Sequence, residues 1–184
     1  SSQSIDTIYS YFPIKKQETN ESFPHIPFEL PASYILQQLG EPEISNTDQD
    51  IIRILYPCEY LRYPFSFHVF KIHFTEHSAS IHRTTGISKD QNGMQPAQKD
   101  SARMKERDVK RIEKLFEKIS EMESQECREP GNPWILEYNM DGEYKRFIIT
   151  HYCARGKREL KPLILFVSSI VGPSRNYFGM WCSQ

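Results

Sequence analysis

The stretch that decides the fold class is WILEYNMDGEYKRFII, residues 134–149. Its centre, Asp141-Gly142, is typical of a two-residue type I′ turn, because both central residues of that turn need positive φ. Placing Met140 opposite Glu143 sets the register, in which apolar residues meet apolar residues and an acid meets a base. The sequence therefore predicts a β-hairpin with these cross-strand pairs: Leu136 with Phe147, Trp134 with Ile149, Ile135 with Ile148, and Glu137 with Arg146.

The segments on either side of this hairpin contain more strand patterns. Residues 51–56 and 65–74 predict two strands, and residues 78–83 predict a return strand after a turn. Residues 163–170 are more continuously apolar, which predicts a strand in the middle of a sheet. Residues 31–39 begin with a proline and stop at a glycine, so they predict a short amphipathic helix.

The clearest helical pattern covers residues 101–125. Its apolar residues recur every three or four positions, as on the buried side of a helix. Before it, residues 84–100 are polar and contain Gly86, Gly93 and Pro96, which predicts a mobile loop. The apolar residues of the predicted helix are Val109, Ile112, Leu115, Phe116, Ile119 and Met122.

The order of these segments predicts an α+β fold, with a mainly antiparallel sheet and one long amphipathic helix packed on a face. Residues 1–28 have closely spaced prolines and predict an extended tail. Residues 29–184 are expected to form the α+β domain. An alternative is two small α+β halves, residues 29–83 and 101–184, split by the loop at 84–100.

The composition limits the class of protein. The 184 residues include 23 Lys and Arg against 24 Asp and Glu, a net charge of -1, which excludes a generally basic nucleic-acid coat. Eleven Phe, ten Tyr and two Trp are too many for a disordered chain. No apolar run approaches the ~18 residues of a membrane span, and the first residues do not resemble a signal peptide. The four cysteines are widely spaced, which indicates reduced thiols, and we expect a nuclear location, with the cytoplasm as the alternative.

Catalytic patterns are not found in the sequence. It has no phosphate-binding glycine loop, no nucleophile elbow and no paired zinc half-sites, so we expect no enzymatic activity, cofactor or metal. His68 and His73 are separated by an odd number of residues, which directs them to opposite faces of a strand. A distant convergence of His73, His82 or His151 in an enzyme is kept as an alternative.

A short aromatic motif lies in the tail, at residues 5–12. One helical turn would bring Ile8 beside Tyr11 and Phe12 as an apolar plug for a pocket. The motif resembles the peptide by which replication and repair proteins bind the sliding clamp PCNA, and Lys15 and Lys16 would suit an acidic clamp surface. Alternatively, the three apolar side chains fasten the tail to their own domain or to a partner subunit.

Two basic clusters suggest another function. On the predicted long helix, a row of cations lies opposite the apolar side, and acidic residues flank it on one side only. A second cluster is predicted at a loop tip between two strands. Either can contact phosphates or keep a surface soluble. The row comprises Arg103, Arg107, Lys110, Lys114 and Lys118, and the tip comprises Arg155, Lys157, Arg158 and Lys161.

The leading functional hypothesis is a non-enzymatic protein-interaction subunit of a nuclear complex that acts on DNA or chromosomes. The aromatic motif would dock it to a protein partner within a hetero-complex. The alternative is a nucleic-acid-binding domain that uses the basic helix and the basic tip.

Overall fold

The computed structural model describes residues 35–59, 65–76, 78–88, 95–120, 134–149 and 154–172. These residues form six strands and two helices of more than one turn. The strands are β1 (Ile51–Glu59), β2 (Phe65–Thr75), β3 (Ser78–Ser88), β4 (Gln95–Arg103), β5 (Trp134–Met140) and β6 (Glu143–Ile149). The helices are α1 (Glu106–Ser120) and α2 (Ala154–Val171).

The six strands form one sheet in the order β4-β3-β2-β1-β5-β6. Every neighbouring pair is antiparallel, so the predicted α+β class with a mainly antiparallel sheet is confirmed. Strand β1 pairs with both β2 and β5. Strands from residues 51–103 and from residues 134–149 are therefore joined in one sheet.

The β5–β6 hairpin has the predicted register. Met140 pairs with Glu143, and all four further pairs predicted for the two strands form. Asp141 and Gly142 have φ values of 53° and 75°, as the type I′ turn requires. Local sequence was sufficient here because the turn and the cross-strand pairs favour the same register.

The two sides of the sheet are covered differently. Both helices pack on the side that carries Ile54 and Ile72, and they bury the main core there. On the opposite side, Leu36 and Leu39 pack against β1, β2 and β5. Residues 35–38 form a helical turn that is followed by Gly40 with a φ of 68°. This confirms the later part of the predicted helix at 31–39, whereas residues 31–34 lie outside the described residues.

The predicted loop at residues 84–100 is wrong for most of its length. Strand β3 continues to Ser88, and β4 covers residues 95–103. Strand β4 is polar because it lies at the edge of the sheet, where Ala102 packs against the core but little apolar surface is required. An edge strand also tolerates Pro96, since a strand on the outside has fewer hydrogen bonds to make. Residues 89–94 lie outside the described residues.

The predicted strand at residues 163–170 is also wrong, because this segment belongs to α2. Its buried residues, Leu160, Leu163, Ile164 and Val167, follow the three-to-four spacing of a helix. A continuous apolar run of this length fits a buried strand and a buried helix equally well. The helix ends at Val171 and is followed by Gly172, which has a φ of 84°.

The single long helix is not confirmed. Helix α1 has 15 residues, and α2 lies beside it in the same layer. Residues 101–103 belong to β4, and residues 121–125 lie outside the described residues.

Candidate functional site

Helix α1 presents its cations on one side. Ile112 and Ile119 are fully buried and fix the orientation of the helix on the sheet. Phe116 packs edge-to-face on Tyr138, with 4.7 Å between the ring centroids. At 100° per residue, four cations then lie on one flank or the outer side of α1, and three acids lie towards the other flank. The cations are Arg107, Arg111, Lys114 and Lys118, all exposed, and the acids are Glu106, Glu113 and Glu117.

Helix α2 lies beside the cationic flank. The guanidinium carbon of Arg111 lies over the ring of Phe166, 4.3 Å from its centroid. This contact places α2 next to the cations of α1 and away from its acidic row. On α2, Arg158 and Lys161 are exposed, and Arg158 points away from the buried side of its helix. We call the cations Arg107, Lys110, Arg111, Lys114, Lys118 and Arg158 the basic helical surface.

Two of these cations have acidic neighbours. The Nζ atom of Lys110 lies 2.7 Å from Oε1 of Glu106, and this hydrogen bond raises the pKa of Lys110 and lowers that of Glu106. The Nε atom of Arg107 lies 3.4 Å from Oδ1 of Asp108.

The charges of the other cations are not neutralised by ion pairs with described residues. Lys114 and Glu117, three residues apart on α1, form no ion pair in the described part of the chain. Within the ranges that the structure describes, Arg111, Lys118, Arg158 and Lys161 also make no ion pair. The basic helical surface therefore has an excess of positive charge.

A buried arginine fixes the end of α2. Nη1 of Arg83 donates a hydrogen bond to the carbonyl oxygen of Gly172 at 2.7 Å. Nε of Arg83 donates to Oδ2 of Asp100 at 2.9 Å, and the Gln98 amide donates to Oδ1 of Asp100 at 3.1 Å. A cation at the carboxyl end of a helix interacts favourably with the helix dipole. Arg83 thus ties α2 to β3 and to the edge strand β4.

Not all predicted nucleic-acid-binding residues lie on this surface. Arg103 belongs to β4, where it pairs with Ser80. Its neighbour Ala102 packs towards the helices, so Arg103 points to the opposite side of the sheet and is wrongly placed in the predicted row. Lys99 lies on the same side as Arg103, since Asp100 between them faces Arg83.

The predicted basic loop tip is wrong as well, because residues 154–171 are helical. Arg155 and Lys157 lie at the start of α2, where only their backbone belongs to the described part of the structure. Arg158 is exposed on α2 and shares the helical layer with the cations of α1. The sequence does not show whether the two basic clusters share a face. In the structure, Arg158 of the second cluster lies on the same face as the cations of α1.

The tail motif lies outside the described residues. This applies to all five residues predicted to bind a partner, which are Ile8, Tyr11, Phe12, Lys15 and Lys16.

The described histidines are divided between the two sides of the sheet, as predicted for His68 and His73. His68 is buried on the helix-facing side, where Nδ1 lies 3.0 Å from Oγ1 of Thr85. On the opposite side, the rings of His73 and His82 meet edge-to-face, with centroids 5.4 Å apart. Burial, with Lys71 and His82 nearby, lowers the pKa of His73. The described ranges contain no group of three or more His, Cys, Asp or Glu residues that could hold a metal ion.

Sequence reasoning did not identify the buried ion pairs on the side opposite the helices. Arg53 donates from Nε to Oε1 of Glu137 at 3.1 Å and from Nη2 to Oε2 at 2.8 Å. Lys71 pairs with Glu41 at 2.7 Å, and Glu41 also accepts a hydrogen bond from Thr84. The signal was a charged residue inside the apolar run at 51–55. These pairs join β1 to β5 and residues 41–42 to the sheet, which is a structural role.

Neither helix in the described part of the chain is long and apolar enough to cross a membrane. Comparison of the chain with protein-family models, curated proteins and solved structures gave no match.

Proposed function

We propose that this chain is a nucleic-acid-binding subunit that contacts phosphates through the basic helical surface. The observation that carries the proposal is the position of α2, because Phe166 under Arg111 brings a second helix to the cationic flank of α1. The chain as a whole has a net charge of -1, so the positive charge on this surface is a local excess. A local excess of exposed Lys and Arg is the electrostatic footprint of phosphate binding.

The length of the surface supports phosphate contacts. Arg107 and Lys118 are eleven positions apart, which corresponds to about 16 Å along a helix. One strand of a duplex passes about five phosphates over that distance. The acidic row of Glu106, Glu113 and Glu117 lies towards the other flank of α1 and limits the contact area on that side.

Salt dependence tests this proposal. A labelled oligonucleotide of about 20 nucleotides, as duplex and as single strand, should bind to the purified chain at low salt. The affinity should fall linearly on a logarithmic plot as salt rises, because each phosphate contact releases counterions. Absence of binding at about 20 mM salt would contradict the proposal.

We also propose that the tail motif docks the chain to a protein partner within a nuclear hetero-complex that acts on DNA or chromosomes. The support is the placement of Ile8, Tyr11 and Phe12 in a pattern that resembles PCNA-binding peptides. Replacing Tyr11 and Phe12 together by alanine should abolish partner capture and leave the melting temperature unchanged. Unchanged binding to PCNA and to co-purifying subunits would exclude this docking role.

A further inference from the structure

The contact between Arg111 and Phe166 has a chemical character that the other cations of the surface lack. The guanidinium carbon of Arg111 lies 4.3 Å from the ring centroid of Phe166. Phe166 is half-buried and packs against the main core, so the ring is held in place. Arg111 is exposed, so its guanidinium has the ring on one side and solvent on the other.

We propose, on the basis of the phosphate-binding role above, that this pair is a stacking platform for an unpaired nucleobase and makes the surface selective for single-stranded nucleic acid. A guanidinium plane stacks on the face of a base, and recognition of single strands commonly uses such stacking. In a duplex, the base faces are already covered by their neighbours. A platform of this kind therefore contributes affinity for single strands only.

The surroundings of the platform fit a single strand. Arg107 lies one helical turn before Arg111, and Lys114 lies three residues after it. Each is about 5 to 6 Å from Arg111 along the helix, so phosphates on both sides of a stacked base would find a cation. On α2, Leu165 is 41% exposed. No other large hydrophobic side chain among the described residues is exposed. At 100° per residue Leu165 points outwards from α2, so it offers apolar surface to a base or sugar that extends beyond the platform.

The platform can be removed without removing charge. Arg111→Lys keeps the cation but lacks the planar guanidinium. Arg107→Lys is the matched control, because Arg107 lies on the same flank of α1 and is paired with Asp108 instead of covering a ring. Phe166→Leu keeps apolar volume and removes the ring that holds Arg111.

The measurement is the affinity of each variant for oligo(dT), for oligo(U) and for a blunt-ended duplex at one low salt concentration. Stacking of one base is worth about fivefold to a hundredfold in affinity. Arg111→Lys and Phe166→Leu should each weaken binding to both single strands at least about fivefold and change duplex binding less than twofold. Arg107→Lys should change all three by the same small factor. An effect on only one of the two single strands would assign the platform to that polymer, with its own base and sugar.

Equal effects of Arg111→Lys and Arg107→Lys on single strands would overturn the platform while leaving the phosphate-binding role intact. No binding of the wild type to any of the three probes would overturn both. The melting temperature of Phe166→Leu identifies a loss that comes from unfolding, and Arg111→Lys, at an exposed position, provides the same test without disturbing the core.

Discussion

His68 is a buried residue whose protonation state is coupled to folding. It is 1% exposed and lies close to the Arg83–Asp100 pair. Burial, with a smaller contribution from Arg83, lowers the pKa of His68 from 6.5 to about 4. The imidazole is therefore neutral in the folded protein at neutral pH. Nδ1 lies within hydrogen-bonding distance of Thr85 in that state.

The lowered pKa of His68 predicts a loss of stability in acid. Between pH 6.5 and pH 4 the unfolded state binds a proton at His68 that the folded state does not, so the free energy of unfolding falls as pH decreases. The shift from 6.5 to about 4 corresponds to about 3 kcal/mol, which is fully present above pH 6.5 and lost below pH 4. Denaturant unfolding at pH 7 and pH 4 measures it.

His68→Gln is the control for this effect, since glutamine keeps a polar group near Thr85 but does not titrate. The fall in stability between pH 7 and pH 4 should be about 3 kcal/mol smaller in the variant than in the wild type. Parallel pH profiles for the two proteins would show that another group causes the acid sensitivity.

Among the elements, the β5–β6 turn offers a clean test of backbone conformation. Gly142 has a φ of 75°, and a Cβ atom built there meets nothing within 4 Å. Replacement by alanine therefore adds only the backbone cost of a left-handed residue, about 1 kcal/mol. Gly142→Asn should cost less, because asparagine tolerates this region. Thermal or urea unfolding would show the order Gly, Asn, Ala, and equal stabilities would contradict the assigned turn.

The elements also show where sequence reasoning succeeds. The hairpin was predictable to the register because its turn and pairs are local in the chain. Strand β4 forms because it pairs with β3, and this pairing cannot be inferred from the residues of β4 alone. Its polar sequence therefore resembled that of a loop. The run at 163–170 contained helical spacing that became visible only when Leu160 was included.

Only one part of the candidate site, the row of cations on α1, was predictable from the sequence. The cations of α1 followed from the period of Ile112 and Ile119, and their exposure is confirmed. The neighbouring helix was not predicted, because the sequence pattern indicates a loop tip at its basic start and a strand at residues 163–170. Consequently the contact between Arg111 and Phe166, which depends on two helices in one layer, could not be found from the sequence.

For the molecule as a whole, ion pairs of a buried arginine lie on both sides of the sheet, whereas the helical layer also carries a row of exposed cations. The side opposite the helices buries its ions in pairs, such as Arg53 with Glu137, and these join strands and the segment above them. The helical layer leaves cations without acidic partners on its outside, within the described residues. We therefore expect nucleic acid to contact the helical layer and not the opposite side.

The opposite side provides a matched control for this prediction. Lys99 and Arg103 are exposed, point away from the helices and can be neutralised with the same change of charge as Lys114 and Lys118. All four positions are on the surface, where such substitutions change stability by less than about 0.5 kcal/mol.

The most direct measurement is the slope of log affinity against log salt for oligo(dT) with the two double variants. Lys114→Gln with Lys118→Gln should reduce the magnitude of the slope by about 1.4, since each single-strand phosphate contact contributes about 0.7. Lys99→Gln with Arg103→Gln should leave the slope unchanged. Equal slopes for the two double variants would contradict phosphate binding by the basic helical surface.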